Sequence, residues 1–145
     1  LFERAGSLSA GSITAFYTVL EETDDGADPI SEEVRSLLDG HIVLSRKLAG
    51  KGHFPAIDVL KSISRLFDRV AGADHVRHAR RLRELMAKFD EVEMLIRIGE
   101  FHRGVDATAD TAVDRRVAIE RFLQQSTAHN NSMEQTLGAL AEVAS

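Results

Sequence analysis

Apolar residues recur every three or four positions through the second half of the chain, and this spacing limits the possible fold more than any other feature. Between Asp74 and Ile98 they fall at Val76, Ala79, Leu82, Leu85, Met86, Phe89, Val92, Leu95 and Ile96, one face of a helix with 3.6 residues per turn. Such a stripe has to be covered by other helices. Gly99 predicts the stop, because glycine enters a left-handed cap without strain. "EFHRGVDATAD" then reads as a loop, "TAVDRRVAIERFLQQS" as a second amphipathic helix and "NSMEQTLGALAEVA" as a third, with Asn131 or Ser132 as candidate N-caps. Residues 73–145 are therefore expected to form a small helical bundle.

Residues 1–72 have a different texture, in which short apolar runs alternate with turn chemistry. "GSITAFYTVL" is β-branched and aromatic enough for a strand, and "EETDDGADP" follows as an acidic loop. "ISEEVRSLL" fits a short helix or an irregular segment, "DGHIVLS" a turn entering a buried strand, and "RKLAGKG" a helical turn closed by glycine. "KGHFPAIDVLKSISR" is too polar for a simple buried strand. Both prolines, Pro29 and Pro55, fall in this half, where helices have to be short. The expected architecture is part of an α/β layer joined to an all-α bundle.

The 145 residues, 43% of them hydrophobic, suffice for one medium domain or two small ones. A formal net charge of -5 argues against a nucleic-acid partner, which selects for a basic excess. No apolar run approaches the roughly 20 residues of a membrane-crossing helix. With no cysteine, disulfides and thiolate zinc sites are excluded, and a reducing cytosolic setting fits best. "LFERAGSLSAG" lacks the marks of a secretory signal. The start on Leu1, in what reads as the end of a helix, carries the expectation of a piece of something longer.

Several motifs invite chemistry, each with a plainer alternative. His75 and His78 have the spacing of metal ligands, yet "HVRHARRLRE" carries four arginines that would repel a cation, so a solvated face accounts for them. His41, His53, His102 and His129 are scattered, and no serine, histidine and acid form a recognisable triad. "LAGKGH" imitates a phosphate loop. The real motif needs a glycine five positions before its Gly-Lys pair and a hydroxyl after it, where Ser45 and Gly52 stand instead. The loop holding Asp24, Asp25 and Asp28 does not match a helix-loop-helix calcium site; it is a solvated turn or a contact for a basic partner.

The ordered landmarks "GSIT", "DDGADP", "DGHIVLSR", "PAID" and "SISR" resemble the distal half of the nucleotide-binding domain of the rotary-type hexameric ATPases: ATP synthase catalytic subunits, flagellar export ATPases and type III secretion ATPases. Within that superfamily "MLIRIGEFHRGVDATAD" is most similar to the type III secretion branch. The resemblance implies the distal part of a RecA-like P-loop domain over residues 1–72, followed by a C-terminal helical domain over residues 73–145. It also implies a subunit roughly three times this length, with the phosphate loop, the magnesium ligands and the catalytic carboxylate before Leu1.

By the same resemblance Phe54, ahead of Pro55, takes the place of a tyrosine whose ring stacks on the adenine of ATP in its own subunit. Phenylalanine keeps the π-face and loses the hydroxyl, whereas the bare pattern favours a core aromatic. Arg65, closing "SISR", matches the arginine that reaches into the neighbouring subunit's site, where an always-charged guanidinium offsets charge on the transferred phosphoryl group; taken alone it is a surface or salt-bridged arginine. The segment from Glu100 to Asp114, including Asp106, matches in position the acidic lever loop of ATP synthase, although His102 and Arg103 interrupt the acidity. That segment and the loop of Asp24, Asp25 and Asp28 are the implied contacts for a coiled-coil central stalk.

The implied assembly is a homohexamer, inactive as this piece alone, that acts on secretion chaperone–effector complexes. Its implied location is cytoplasmic, peripheral to the export apparatus at the inner membrane. A flagellar export ATPase and a proton-driven ATP synthase subunit are the alternatives within the superfamily. A non-enzymatic helical interaction module is the alternative of another class; its half-domain would leave sheet edges and apolar surface uncovered.

Overall fold

A computed structural model of the chain describes residues 5–20 and 29–145. The chain divides into two compact units, Leu1–His41 and Ile42–Ser145. The helix end expected at Leu1 and the acidic loop of Asp24, Asp25 and Asp28 lie outside the described residues.

In the first unit a hairpin pairs β1 (Gly6–Leu8) with β2 (Gly11–Ile13), antiparallel in the register Gly6↔Ile13, Ser7↔Ser12, Leu8↔Gly11. Gly11 closes its turn at φ +139°, a value that side chains with a Cβ rarely adopt. The strand expected over "GSITAFYTVL" holds only at its start. Residues 14–20 have no regular structure, and Phe16 and Leu20 are exposed. β-branched and aromatic residues favour extended backbone, but a ladder needs a partner strand, and among the described residues this run has none. The ambiguous "ISEEVRSLL" is a helix, α1 (Pro29–Leu37), entered through a proline whose missing N–H costs nothing in a first turn. Glu32 and Arg35 pair across that turn at 2.8 Å.

In the second unit β3 (Gly40–Leu44), which straddles the division, and β4 (Ile57–Ser64) form a two-stranded sheet. β3 is a strand as expected, but it is not buried, since Ile42 is 66% and Leu44 72% exposed. A two-stranded sheet leaves both strands as edges with little to cover their faces. The polar segment before Arg65 is nonetheless a strand, β4, and its polarity matches its half-buried setting. The connection between the strands holds α2 (Arg46–Gly50), whose N-cap Ser45 accepts from the Leu48 N–H, and Gly52 at φ +74° ends it.

After α3 (Phe67–Val70) come the three bundle helices, α4 (Ala73–Ile98), α5 (Ala107–Leu123) and α6 (Met133–Ala144). Gly99 caps α4 in the left-handed conformation, as its position predicts. Ser132 is the cap of α6, in a reciprocal box with Gln135. The loop read from "EFHRGVDATAD" ends sooner than expected. The Asp106 carboxylate accepts from the N–H groups of Thr108 and Ala109, starting α5 at Ala107.

Leu82 and Leu85 of α4, Ala112 and Ile119 of α5 and Leu140 of α6 form the core, flanked by Ala79, Met86, Phe89, Phe122, Leu137 and Val143. Burial of these side chains drives the association of helices whose isolated stability would be marginal. The Arg116 guanidinium also lies 4.5 Å from the centre of the Phe89 ring. The apolar stripe of α4 outruns this core. Lys88 lies 3.6 Å from the Asp106 carboxylate at the start of α5, and the end of α4 beyond Phe89 adds no residue to this core. Met94, Leu95 and Ile98 on that end are exposed.

Candidate functional site

The candidate site is organised along β4. At its entrance Gly52 turns the chain, and the buried His53 is held from two directions: its N–H donates to the Leu48 carbonyl at 3.0 Å, and its Nδ1 lies 3.3 Å from the Gln124 amide nitrogen. The Phe54 carbonyl accepts from the Gln125 N–H at 2.9 Å, and the Ala56 carbonyl from the Ser45 N–H at 2.8 Å. The backbone before β4 is therefore tied to α2 and to the end of α5. Phe54, by contrast, is 56% exposed, unlike the core aromatic that the bare pattern favours. Pro55 is exposed beside it and follows a cis peptide bond. An anchored backbone carrying an outward ring is chemically suited to present a π-face.

Within and around β4, side chains join the hydrogen bonding of the backbone. The Lys61 N–H donates to the Asp58 carboxylate at 3.1 Å, the Ser62 hydroxyl donates to the Asp58 carbonyl at 2.6 Å, and the Val43 N–H donates to the Ser62 hydroxyl at 3.0 Å. Side chains thus bond backbone groups both within β4 and across to β3. Arg83 of α4 completes this region. Its guanidinium donates to the carbonyls of Val59, Leu60 (2.9 Å) and Ser62 (3.3 Å). Arg65 follows at once, exposed in the turn that leaves β4. Phe54 and Arg65 therefore stand at opposite ends of one strand segment.

A second cluster occupies the connection from α4 to α5. Glu100 is exposed, and its N–H donates to the Leu95 carbonyl at 2.9 Å. Arg103 pairs with Asp114 at 2.8 Å, and the Gly104 N–H donates to Asp110 at 2.8 Å, so the connection is tied to α5. These contacts set the local protonation. Backbone donors from Ala109 and Thr108, aided by Lys88, hold the Asp106 carboxyl below its ordinary range, and the Arg103 guanidinium does the same for Asp114. Glu91 and Asp106 raise the Lys88 ammonium. Asp106 is thus first a helix cap. The interrupting Arg103 is neutralised by Asp114, while Val105 on the same connection is 82% exposed.

His75 packs edge-on against Phe67 at 5.0 Å, and the His78 ring lies 3.4 Å from the Arg77 guanidinium. Among the described residues no three His, Asp or Glu side chains converge as a metal site. No described helix is long and apolar enough to cross a membrane.

Arg83, His53, Gln124 and Gln125 escaped the sequence reading. Arg83 was grouped with the solvated arginines of "HVRHARRLRE", yet it shares its helix face with Ala79 and Met86, four residues before and three after. A cation on the apolar face was the available signal. No such signal marked the other three, because their contacts join segments distant in sequence.

Residues 1–64 match the ATP synthase alpha/beta family, nucleotide-binding domain, and residues 71–142 match the T3SS EscN ATPase C-terminal domain. The Type 3 secretion system ATPase of Xanthomonas euvesicatoria is 54% identical over 143 residues, which are 99% of this chain and 32% of that protein. The chain belongs to the type 3 secretion ATPase family. A Flagellum-specific ATP synthase of Treponema pallidum is 50% identical over 97% of the chain and 32% of its own length. The assembled ATPase EscN from the enteropathogenic E. coli type III secretion system has a TM-score of 0.95 at 50% identity, covering 99% of this chain and 35% of that one. EscN in complex with its central stalk EscO gives 0.88 at 48% identity, over 99% of this chain and 34% of that one. The chain thus spans about a third of the length of the type 3 secretion ATPases it matches.

Proposed function

We propose that this chain works as the C-terminal third of a subunit that hydrolyses ATP in a homohexameric ring and uses the cycle to release, unfold and export secreted proteins. The observation that carries the reading is the segment around β4, with an exposed aromatic ring at one end and an exposed arginine at the other. Phe54 stacks on the adenine of its own subunit, with Pro55 shaping the approach, and Arg65 reaches the phosphates held by the next. Water attacks the γ-phosphorus as the bond to the bridging oxygen breaks. Its proton passes to a carboxylate supplied elsewhere in the subunit, ADP departs, and Arg65 offsets the charge spread over the transferred group. The phosphate loop and magnesium ligands likewise belong to the rest of the subunit. Exposed Ile42 and Leu44 support this, since a larger sheet would cover them.

The bundle over residues 73–145 follows Gly72, the cap of α4, and residues 1–72 precede it as the distal part of the nucleotide-binding domain. Its α4–α5 connection, through Glu100 and Asp106, and the loop of Asp24, Asp25 and Asp28 contact a coiled-coil stalk. Chaperone–effector complexes are the cargo, and the ring works in the cytoplasm, peripheral to the membrane export apparatus. The Treponema relative favours a second reading, flagellar export, which differs in cargo and leaves the chemistry unchanged. In the complete subunit, Arg65→Ala is expected to lower ATP turnover by about a thousandfold while the ring still assembles. Turnover near wild type in an assembled ring would overturn the assignment. Secretion assays in strains lacking either export system separate the two cargo readings.

A further inference from the structure

We infer that Arg83 is a positioning residue for Arg65, coupling the helical bundle to the end of the strand that delivers the finger. The inference rests on the proposed trans role of Arg65 and adds the element that holds it. On α4 the arginines Arg77, Arg80, Arg81 and Arg97 each pair with a carboxylate, namely Asp74, Asp68, Glu84 and Glu93. Arg83 differs. Among the described residues it pairs with none, and its guanidinium is directed at the carbonyls of Val59, Leu60 and Ser62.

Those carbonyls lie in the stretch of β4 where the Asp58 carboxylate accepts from the Lys61 N–H and the Ser62 hydroxyl accepts from the Val43 N–H. A partly buried carbonyl left unbonded is costly, and a planar cation with donors on two nitrogens serves several carbonyls at once. The last carbonyl held, that of Ser62, is three residues before Arg65. A rotation or shift of α4 would therefore be carried by one side chain to the turn bearing the finger. Positioning matters here because small displacements of a charge-stabilising group cost large factors in rate.

The test uses the complete subunit with Arg83→Gln, Arg83→Lys, Arg65→Ala and the double variant Arg65→Ala/Arg83→Gln. In assembled rings Arg83→Gln is expected to lower kcat at least tenfold with the KM for ATP within about twofold of wild type. Arg83→Lys, which keeps the charge but not the fork, recovers part of that loss. The double variant turns over no more slowly than Arg65→Ala, because a displaced finger and a missing finger are the same defect. Amide hydrogen exchange over residues 58–66 speeds up in Arg83→Gln, a readout independent of turnover. Wild-type kcat in Arg83→Gln, or losses that multiply in the double variant, overturns the inference and leaves the finger standing. Wild-type turnover in Arg65→Ala overturns the finger itself, whatever Arg83→Gln does.

Discussion

The helical bundle and the β4 segment satisfy their surfaces in opposite ways. In the bundle three helix ends are set nearby, by Gly99, Asp106 and the Ser132–Gln135 box, and Leu82, Leu85, Ile119 and Leu140 close on one another. The strand segment borrows its supports: His53 leans on Gln124, Phe54 on the backbone of Gln125, and the β4 carbonyls on Arg83. Its apolar residues Ile42, Leu44 and Ile63 remain exposed. The difference teaches that buried packing is concentrated in the bundle, whereas the groups proposed for chemistry sit on a segment whose apolar residues stay exposed.

Substitutions in the two regions should therefore fail in different assays. The largest effect belongs to Arg65→Ala, about a thousandfold in turnover of the complete subunit, with an unmoved unfolding midpoint; a matching loss of stability would erase the contrast. Next comes Leu85→Ala, which opens a cavity at a fully buried position and is expected to cost about 3 kcal/mol in denaturant titrations. A loss below about 1 kcal/mol would mean the bundle relaxes around it. Phe54→Ala should raise the KM for ATP about tenfold, the worth of one base–aromatic stack, with little change in stability. An unchanged KM would return Phe54 to a structural role. Ser132→Ala removes the α6 cap and should cost about 1 kcal/mol, without altering KM or kcat beyond the stability loss.

The smallest expected effect is a pH dependence. The carboxyls of Asp106 and Asp114 are held below their ordinary range in the folded chain, so the unfolded chain binds protons first as pH falls. Their stabilisation is present above the ordinary carboxylate value of about 4 and is lost as pH drops through the lowered folded values. Lys88 is raised, so its contribution is present below the ordinary lysine value of about 10.4 and fades as pH rises through the folded one. Asp106→Asn should flatten the acidic limb of a melting-temperature profile. An unaltered limb would assign it to other carboxylates.

The bundle was legible because its information is local. A period of 3.6, a left-handed cap at Gly99 and a serine before an amphipathic run are all written within one turn of where they act. The start of α5 was misread because Asp106 caps from inside what looked like a polar loop, and the strand after Gly11 was overread because propensity cannot supply a partner. Phe54 and Arg65 became conspicuous only through the order of the landmarks around them. Arg83 was hidden by three neighbouring arginines that do face carboxylates, and its own contacts are carbonyls on a different element.

The central claim is that one strand segment serves two nucleotide sites, Phe54 its own and Arg65 the neighbour's. Rings co-assembled from equal amounts of Phe54→Ala and Arg65→Ala subunits test it directly. A site built by an Arg65→Ala subunit keeps its phenylalanine and can receive an intact arginine from an adjacent Phe54→Ala subunit. The account predicts that mixing restores turnover with the wild-type KM, absent from either pure ring. A mixture that only averages the two pure rings at every ATP concentration would contradict it.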